Sequence, residues 1–346
     1  MKNKNKSKPA SNKILPRVSI CTPTFNRRPF FKGIINCVLS QDYPKDLLEW
    51  VIVDDGTDPI EDLIKDVPFV KYFKLDTKIT LGKKRNYMHE MCSFKNNTDI
   101  IVYMDDDDFY PPTRVSHSVE RLINCSALCA GSSELHIWFS TLNKMYRFGP
   151  YGPNHATAGT FAFKRALLND THYEDSAVLA EEKFFLKNYT IPFVQLDPLK
   201  TILVFSHEQN TFDKRRLIDP NNTMCKESSL KVKNFIKNTE LQDFYMNDIE
   251  KLLLTYEPGD VKHKQDVLDE IKRRDIERSQ SGNSVNVNIK NPDGTTRQLN
   301  ASEIIDALKH KIDENVKLQK DLDDRQRQIN KLLEVIQKNN LQSFFI

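Results

Sequence analysis

Four consecutive aspartates at positions 105–108 are the side chains in this 346-residue sequence that are best suited to chemistry. They directly follow the apolar run 100–104, which has the length and composition of a buried strand. Adjacent carboxylates repel one another, so such a run must be solvated or neutralised by cations. Mg²⁺ and Mn²⁺ prefer carboxylate oxygens together with phosphate oxygens. We therefore predict a divalent-metal site here; the alternative is an acidic loop that caps the next helix.

A second acidic strand end lies earlier in the chain. Asp54 and Asp55 follow the apolar run 50–53 and precede Gly56. A carboxylate in this position can accept the imide N–H of a uracil or a pair of ribose hydroxyls, and glycine lets the backbone approach a ligand closely. The alternative is that one of the two aspartates only caps the following helix.

Three cations at 83–85 open a predicted helix. Bases at a helix N-terminus oppose the helix dipole, which suggests that they meet an anion such as a diphosphate. The alternative is an ordinary solvated helix face.

The elements that must position these residues alternate along the first half of the chain. The apolar runs are 18–21, 50–53, 70–73 and 100–104, and the helix-length segments lie near 29–41, 58–66, 82–95 and 112–124. Buried strands interleaved with helices predict βαβ units and a mainly parallel sheet that is covered on both faces. Ligands bind at the carboxyl ends of strands in such sheets, where both aspartate groups lie.

Five motifs in order carry a family resemblance. They are residues 18–27, 53–57, 82–86, the aspartate run 105–108, and 159–163. With these motifs the sequence resembles the family 2 glycosyltransferases of the GT-A fold over residues 17 to about 215. The resemblance implies a Rossmann-like α/β fold. It also implies a metal-dependent, inverting enzyme that moves a sugar from a nucleotide-sugar donor, expected to be a UDP-sugar, to an acceptor hydroxyl.

The resemblance implies roles for the donor side. Thr22 and Pro23 would form the first nucleotide-side loop, and Asp54 or Asp55 would bind uracil or ribose. Arg85 would lie over the base or the diphosphate.

The aspartate run matches the DxD motif of the family at Asp105-x-Asp107. We expect Asp107 to bind the Mn²⁺ or Mg²⁺ ion, with Asp105 and Asp106 on the donor; Asp106 and Asp108 are the alternatives as metal ligands. His207 follows the apolar run 202–205 and would complete the metal site, although a lone histidine is more often structural.

On the acceptor side, the family has an acidic pair that opens a helix. Here Glu182 is our first choice as catalytic base and Glu181 is its competitor, while an ordinary acidic first turn is the alternative. The residues expected to bind the acceptor are Trp138, Gly159, Thr160 and Asn210. Trp138 is alternatively ordinary core.

The chain is divided by composition. We predict a disordered basic tail at 1–15, a GT-A domain at 16–220, a helical extension at 221–280 with helices around 226–256 and 260–279, a β-hairpin linker at 281–300 and a long helix at 301–346. Apolar residues recur in a 3-4 register from Ile305 to Ile336, which predicts a coiled coil that makes the protein a homo-oligomer. The alternative is a solvated helix docked on the catalytic domain.

Composition excludes several classes of protein. With 39% hydrophobic and 29% charged residues and a net charge of +3, the sequence is typical of a globular protein without a basic surface for nucleic acid. No membrane span or secretory signal is evident, so we expect a cytoplasmic protein from a bacterium or a large DNA virus. The expected partners are a nucleotide-sugar and a glycan or protein acceptor. The alternative function is a catalytically inactive GT-A scaffold whose coiled coil mediates oligomerisation or partner binding.

Overall fold

The computed structural model of the protein describes residues 14–219, 222–280, 288–290, 295–299 and 301–338. The chain divides into two compact units, and the boundary falls between Arg273 and Arg274. Most of the predicted basic tail lies outside the described residues, as do the predicted domain boundaries at 220 and 300, which stay predictions.

Two β-sheets form the framework of the first unit. The described strands are, in chain order, β1 (Val18–Thr24), β2 (Leu48–Asp54), β3 (Val70–Lys74), β4 (Ile100–Tyr103), β5 (Cys129–Gly131), β6 (Leu135–Phe139), β7 (Lys144–Phe148), β8 (Ala162–Lys164), β9 (Phe193–Gln195), β10 (Val204–Ser206) and β11 (Cys225–Glu227). The larger sheet has the order β3-β2-β1-β4-β8-β5-β9. In it β8 runs antiparallel to both neighbours and the other pairs are parallel, which confirms the predicted mainly parallel sheet.

Helices cover both faces of this sheet. The described α-helices of the first unit are α1 (Phe31–Leu39), α2 (Glu61–Ile64), α3 (Leu81–Met91), α4 (Arg114–Ile123), α5 (Glu182–Phe185), α6 (Val232–Phe235), α7 (Thr239–Asp243), α8 (Ile249–Leu253) and α9 (Gln265–Gln280), the last of which crosses the boundary between the units. Along β1, Ile20 packs into the same apolar cluster as Ile34 of α1 and Val115 of α4. Its neighbour Cys21 packs into a second cluster with Met88 of α3. Successive strand residues point to opposite faces, so two buried clusters require helices on both sides.

The second sheet was not predicted from the sequence. Its order is β10-β6-β7-β11, with β6 and β10 parallel and the other pairs antiparallel. The prediction of helix from 226 onward is wrong at its start, because Cys225–Glu227 forms β11. Pairing with the edge of β7 satisfies the backbone of this segment, and this tertiary contact outweighs its local helix propensity.

The second unit contains a hairpin and one long helix. β12 (Asn288–Lys290) pairs antiparallel with β13 (Thr296–Gln298), which confirms the predicted hairpin for the described residues. The helix α10 runs over Ala301–Lys338. Most of its described apolar side chains are exposed, with exposed fractions between 49% for Ile329 and 64% for Val316, and the coiled coil stays a prediction. Over the described part of the chain, no helix combines the length and apolar character that crossing a membrane requires.

Candidate active site

A cavity of about 420 Å³ opens at the carboxyl ends of β1 and β4. It is lined by the aspartates at 105–108, which follow β4, and by Pro23 and Arg27 at and after the end of β1. This edge of a parallel sheet is where such folds bind ligands. The motifs after the two strands therefore meet at one place.

The cavity brings together part of the predicted site. The predicted residues that line it are Pro23, Arg85, Asp105, Asp106, Asp107, Gly159, Thr160 and Asn210. The predicted residues that do not line it are Thr22, Asp54, Asp55, Trp138, Glu181, Glu182 and His207. Some members of the second group nevertheless contact a lining residue.

Asp107 and His207, the two predicted metal ligands, are in contact. Nε2 of His207 lies 3.1 Å from Oδ2 of Asp107 and 2.7 Å from Nδ2 of Asn210. The Asn210 amide is oriented by its Oδ1, which accepts a hydrogen bond from the His207 backbone N–H at 2.9 Å. Nε2 thus faces the Asn210 amide N–H, which needs an acceptor, and the Asp107 carboxylate, which needs a donor. A single neutral imidazole nitrogen can serve only one of these two groups.

The ionisation states of this pair suit a metal ion. Burial lowers the pKa of His207 to about 4, so its ring is neutral at pH 7. Burial alone would raise the pKa of Asp107, but the contact with His207 and the charges of Lys214 and Arg27 outweigh it and hold that pKa well below its usual range. A carboxylate beside a neutral imidazole is the state in which both residues can bind a metal.

Asp105 and Asp106 point to the two arginines of the cavity. Oδ1 of Asp105 lies 3.5 Å from Nη2 of Arg85, and Oδ1 of Asp106 lies 3.9 Å from Nε of Arg27. Burial, followed by the charge of Asp107, raises the pKa of Asp106 to about 7. Asp105 thus hydrogen-bonds to Arg85, whereas Asp106 lies only at ion-pair distance from Arg27.

Asp108 is directed into the protein. Its Oδ1 accepts a hydrogen bond from the backbone N–H of Phe205 at 3.0 Å, and its carbonyl oxygen accepts one from the Tyr245 hydroxyl at 3.1 Å. Burial, followed by the charge of Asp107, raises the pKa of Asp108. Asp108 thus connects the aspartate run to the second sheet.

Positively charged side chains surround the aspartates. Those that line the cavity are Arg27, Lys78, Lys84, Arg85, Lys214 and Lys264. Nη1 of Arg27 and Nη1 of Arg85 are buried and have no hydrogen-bond partner among the described residues. Buried donors without acceptors are costly, so both arginines point to an anionic ligand. The motifs predicted no role for Arg27, although Arg27 lies within the first of them. Lys264 lies far outside every motif.

The carboxylates of Asp54 and Asp55 are both used by protein donors. Asp54 accepts hydrogen bonds from the Tyr72 hydroxyl at 2.7 Å and from the backbone N–H two residues ahead at 2.8 Å. Asp55 accepts one from the backbone N–H of Ile79 at 2.8 Å and pairs with Lys84. Because Ile79 and Lys84 line the cavity, Asp55 is the carboxylate that supports its wall.

Arg85 links the predicted acidic pair to the cavity. Its Nε donates a hydrogen bond to Oε1 of Glu181 at 2.8 Å, and both side chains are buried. Glu182 begins α5 and is half-buried. Its charge contributes, after burial, to the raised pKa of the Tyr189 hydroxyl. Glu181 therefore contacts a residue that lines the cavity.

Thr22 and Trp138 lie inside the protein. The Thr22 hydroxyl donates to the carbonyl oxygen of Met104 at 2.7 Å and accepts a hydrogen bond from Nε1 of Trp50 at 2.9 Å. Trp138 lies on β6, is 6% exposed and belongs to the larger apolar cluster. Neither side chain reaches the cavity surface.

Gly159 and Thr160 form a tight turn beside Asp105. A Cβ atom on Gly159 would lie 2.9 Å from Oδ2 of Asp105, so a side chain here would displace the carboxylate. The Thr160 hydroxyl donates to the carbonyl oxygen of Thr157 at 2.6 Å and accepts from the backbone N–H of Ser132 at 3.0 Å. The turn fixes the space next to the carboxylate.

Within the described residues, no group of three or more His, Cys, Asp or Glu side chains is arranged to hold a metal ion. The contact between Asp107 and His207 brings together a carboxylate oxygen and an imidazole nitrogen, two kinds of atom that can bind a divalent cation.

Comparison with known families gives a match for part of the chain. Residues 19–176 match the family model described as glycosyl transferase family 2. The match confirms the resemblance seen in the motifs, and the larger sheet has the predicted α/β architecture of the GT-A type. A comparison with curated proteins gives no match.

Several solved structures are similar to the chain. The S. aureus TarS fragment 1–349 is 16% identical, with a TM-score of 0.43 over 83% of this chain and 98% of that one. The mannosyltransferase PcManGT from Pyrobaculum calidifontis, in complex with GDP-Man and Mn²⁺, is 15% identical, with a TM-score of 0.45 over 71% and 74% of the two chains. A longer TarS structure is 19% identical with a TM-score of 0.40, and the match covers 56% of this chain and 37% of that one.

Proposed function

We propose that the protein is a metal-dependent, inverting glycosyltransferase that moves a sugar from a nucleotide-sugar, first of all a UDP-sugar, to an acceptor hydroxyl. The observation that carries the proposal is the contact of Asp107 with His207 in a cavity lined by arginines with unpartnered donors. The family assignment of residues 19–176 supports sugar transfer as the reaction.

The donor diphosphate fits the positive side of the cavity. Nη1 of Arg27 and Nη1 of Arg85 are buried donors without partners among the described contacts, and phosphate oxygens are strong acceptors for guanidinium groups. Asp105 and Glu181 hold Arg85 from two sides, which limits the orientations of its planar group. The arginines would thus bind the diphosphate and orient the anomeric carbon towards the acceptor.

Asp107 and His207 fit a divalent cation, Mn²⁺ or Mg²⁺, because a carboxylate that stays ionised lies 3.1 Å from a neutral imidazole nitrogen. When bound, the cation would act as a Lewis acid that neutralises charge on the departing nucleoside diphosphate. Two protein ligands leave further positions for phosphate oxygens and water. Asn210, whose amide is oriented by the His207 backbone N–H, would then keep its Nδ2 beside the His207 ring.

Glu181 and Glu182 are the two candidates for the base that removes the acceptor proton. The direct contact of Glu181 with Arg85 favours Glu181, whereas sequence reasoning favoured Glu182. A carboxylate is a weak base for a hydroxyl, so the proton moves only as the bond to the anomeric carbon forms and acidifies that hydroxyl. An attack from the side opposite the leaving diphosphate inverts the anomeric configuration.

The test is donor hydrolysis and transfer, measured with a panel of UDP- and GDP-sugars, Mn²⁺ or Mg²⁺, and hydroxyl acceptors. We expect metal-dependent release of one nucleoside diphosphate, loss of that release in Asp107→Asn, and no change in the matched control Asp66→Asn at an exposed position. The anomeric configuration of the product, read by NMR, tests inversion. Nucleotide binding without release from any donor would contradict the proposal and favour a non-catalytic scaffold.

A further inference from the structure

A segment far outside the family match reaches the cavity. Residues 256–267, which we call the C-terminal strap, include the first turn of α9. Three of them, Lys264, Asp266 and Val267, line the cavity together with the aspartate run. The family match ends at residue 176.

The strap is fastened to the loops that follow β1 and β2. The Tyr256 hydroxyl donates to Oδ2 of Asp58 at 2.8 Å, and Nδ2 of Asn26 donates to the carbonyl oxygen of Pro258 at 2.9 Å. Asn26 has a φ of 52°, and its Oδ1 accepts hydrogen bonds from the backbone N–H groups of Thr57 and Asp58 at 2.7 and 3.0 Å. One asparagine thus joins both loops to the strap.

The strap also contacts the loop that carries His207 and the entry to α3. Nε2 of Gln209 donates to the carbonyl oxygen of Tyr256 at 2.6 Å, and Lys78 pairs with Asp266. A Cβ on Gly259 would lie 2.1 Å from Oε1 of Gln209 and 2.9 Å from the carbonyl oxygen of Asn26, so the strap packs directly against both residues at this point. The strap is therefore held on several sides and forms a wall of the cavity.

Lys264 is the one lysine of the strap that lines this cavity, and its environment is unusual for a lysine. It is 6% exposed, and its Nζ donates one hydrogen bond, to the Thr211 hydroxyl at 2.9 Å. No carboxylate lies within ion-pair distance of Nζ among the described residues. A buried ammonium group with unused donors and no ion pair is costly unless a ligand supplies the anion. The exposed Lys262, by contrast, pairs with Glu257 on the strap itself.

We propose that Lys264 binds the diphosphate of the donor and that the C-terminal strap completes the donor site. This inference rests on the proposed function, because it names a further residue for the same ligand. Arg27 and Arg85 supply donors from the family motifs, and Lys264 supplies a third positive group from the opposite end of the first unit.

The test is calorimetric binding of UDP, GDP, uridine and guanosine, with and without Mn²⁺, to the full chain and to Lys264→Met. We expect Lys264→Met to weaken binding of the preferred diphosphate about tenfold or more and to leave binding of its nucleoside within twofold, because only the diphosphate gains a charge-assisted hydrogen bond. Lys264→Arg should restore part of the affinity. The matched control Lys262→Met should bind both ligands like the unmodified protein.

Thermal unfolding separates a binding role from a structural one. Methionine removes an unpaired buried charge and keeps the length of the side chain, so we expect the Tm without ligand to be unchanged or higher. A lower Tm, with equal losses for diphosphate and nucleoside, would overturn the inference in favour of a structural role. Unchanged diphosphate affinity in Lys264→Met would overturn this inference alone. Failure of the unmodified protein to bind either diphosphate would overturn the proposed function as well.

Discussion

Arg85 and Glu181 form a buried hydrogen bond of 2.8 Å between residues 96 positions apart in the chain. Arg85 belongs to a motif expected to contact the donor, and Glu181 belongs to an acidic pair expected on the acceptor side. The guanidinium also stacks over the Tyr103 ring, with its central carbon 4.5 Å from the ring centroid. Arg85, which packs on the Tyr103 ring, thus connects the proposed donor side of the site to the proposed acceptor side.

This link distinguishes the two candidates for the base. We expect Glu181→Gln to lower kcat by about 10²-fold to 10⁴-fold, the usual contribution of a general base, and to change nucleotide affinity much less. Glu182→Gln is the matched variant and should retain most of the turnover. The measurement is kcat for transfer together with calorimetric binding of the nucleoside diphosphate. A large loss in Glu182→Gln, with turnover retained in Glu181→Gln, would reverse the assignment.

The contact between Asp107 and His207 predicts that metal and nucleotide bind together. In a thermal-shift experiment, we expect a nucleoside diphosphate with Mn²⁺ to raise the Tm more than either alone, because a ligand that binds only the native state stabilises it by mass action. Asp107→Asn should abolish the metal-dependent part of the shift. Asp66→Asn, which changes an exposed aspartate in the same way, should keep it. A full shift in Asp107→Asn would remove Asp107 from the metal site.

The buried imidazole of His89 should make the free energy of unfolding depend on pH. Burial, followed by the charges of Arg85 and Arg165, lowers its pKa to about 3, and its Nε2 lies 2.6 Å from the Tyr103 hydroxyl. The folded-state pKa is below the unfolded value of about 6.5, so the unfolded state binds more protons as the pH falls. The resulting stability is present above pH 6.5 and is lost on acidification.

The expected loss from this histidine between pH 7 and pH 5 is about 2 kcal/mol of unfolding free energy. Urea unfolding at pH 7, 6 and 5 measures it. His89→Gln cannot take up a proton and should therefore lose about 2 kcal/mol less over this interval than the unmodified protein. The same pH dependence in both proteins would show that His89 does not set it.

A substitution at Thr22 tests whether its hydroxyl contacts the nucleotide or only makes hydrogen bonds inside the protein. Thr22→Val removes the acceptor for Nε1 of Trp50 and the donor for the carbonyl oxygen of Met104, both buried. We expect a loss of about 1–3 kcal/mol in unfolding free energy with unchanged nucleotide affinity. Urea unfolding and calorimetry provide the two values. Weaker nucleotide binding without loss of stability would support the donor role that the family resemblance implies.

The first four strands and the aspartate run could be predicted because each is a contiguous signal. Residues 50–53 and 100–104 are apolar runs of strand length, and a carboxylate at the end of such a run needs no tertiary information to be noticed. The hairpin of β6 and β7 also left a signal, two short segments rich in aromatic and apolar residues on either side of Asn143. This residue has a φ of 50°, a conformation that asparagine tolerates better than most residues.

The remaining features arise from tertiary packing. β11 forms where the sequence favours helix, because the edge of β7 offers it backbone partners. The burial of Lys264 depends on how the strap contacts Asn26, Asp58 and Gln209, which are distant in sequence. No local pattern around Lys264 distinguishes it from Lys262, the exposed lysine of the same segment.

The strap has a consequence for the order in which the protein becomes functional during its synthesis. The residues that follow β1, β2 and β4 leave the ribosome early, but the wall that carries Lys264 is translated only after both sheets of the first unit. With the proposed function, a nascent chain would therefore fold its larger sheet before it could hold a diphosphate between all the cations of the cavity. Nucleotide would then stabilise only chains that have been translated past the strap, and it would have little hold on earlier folding intermediates.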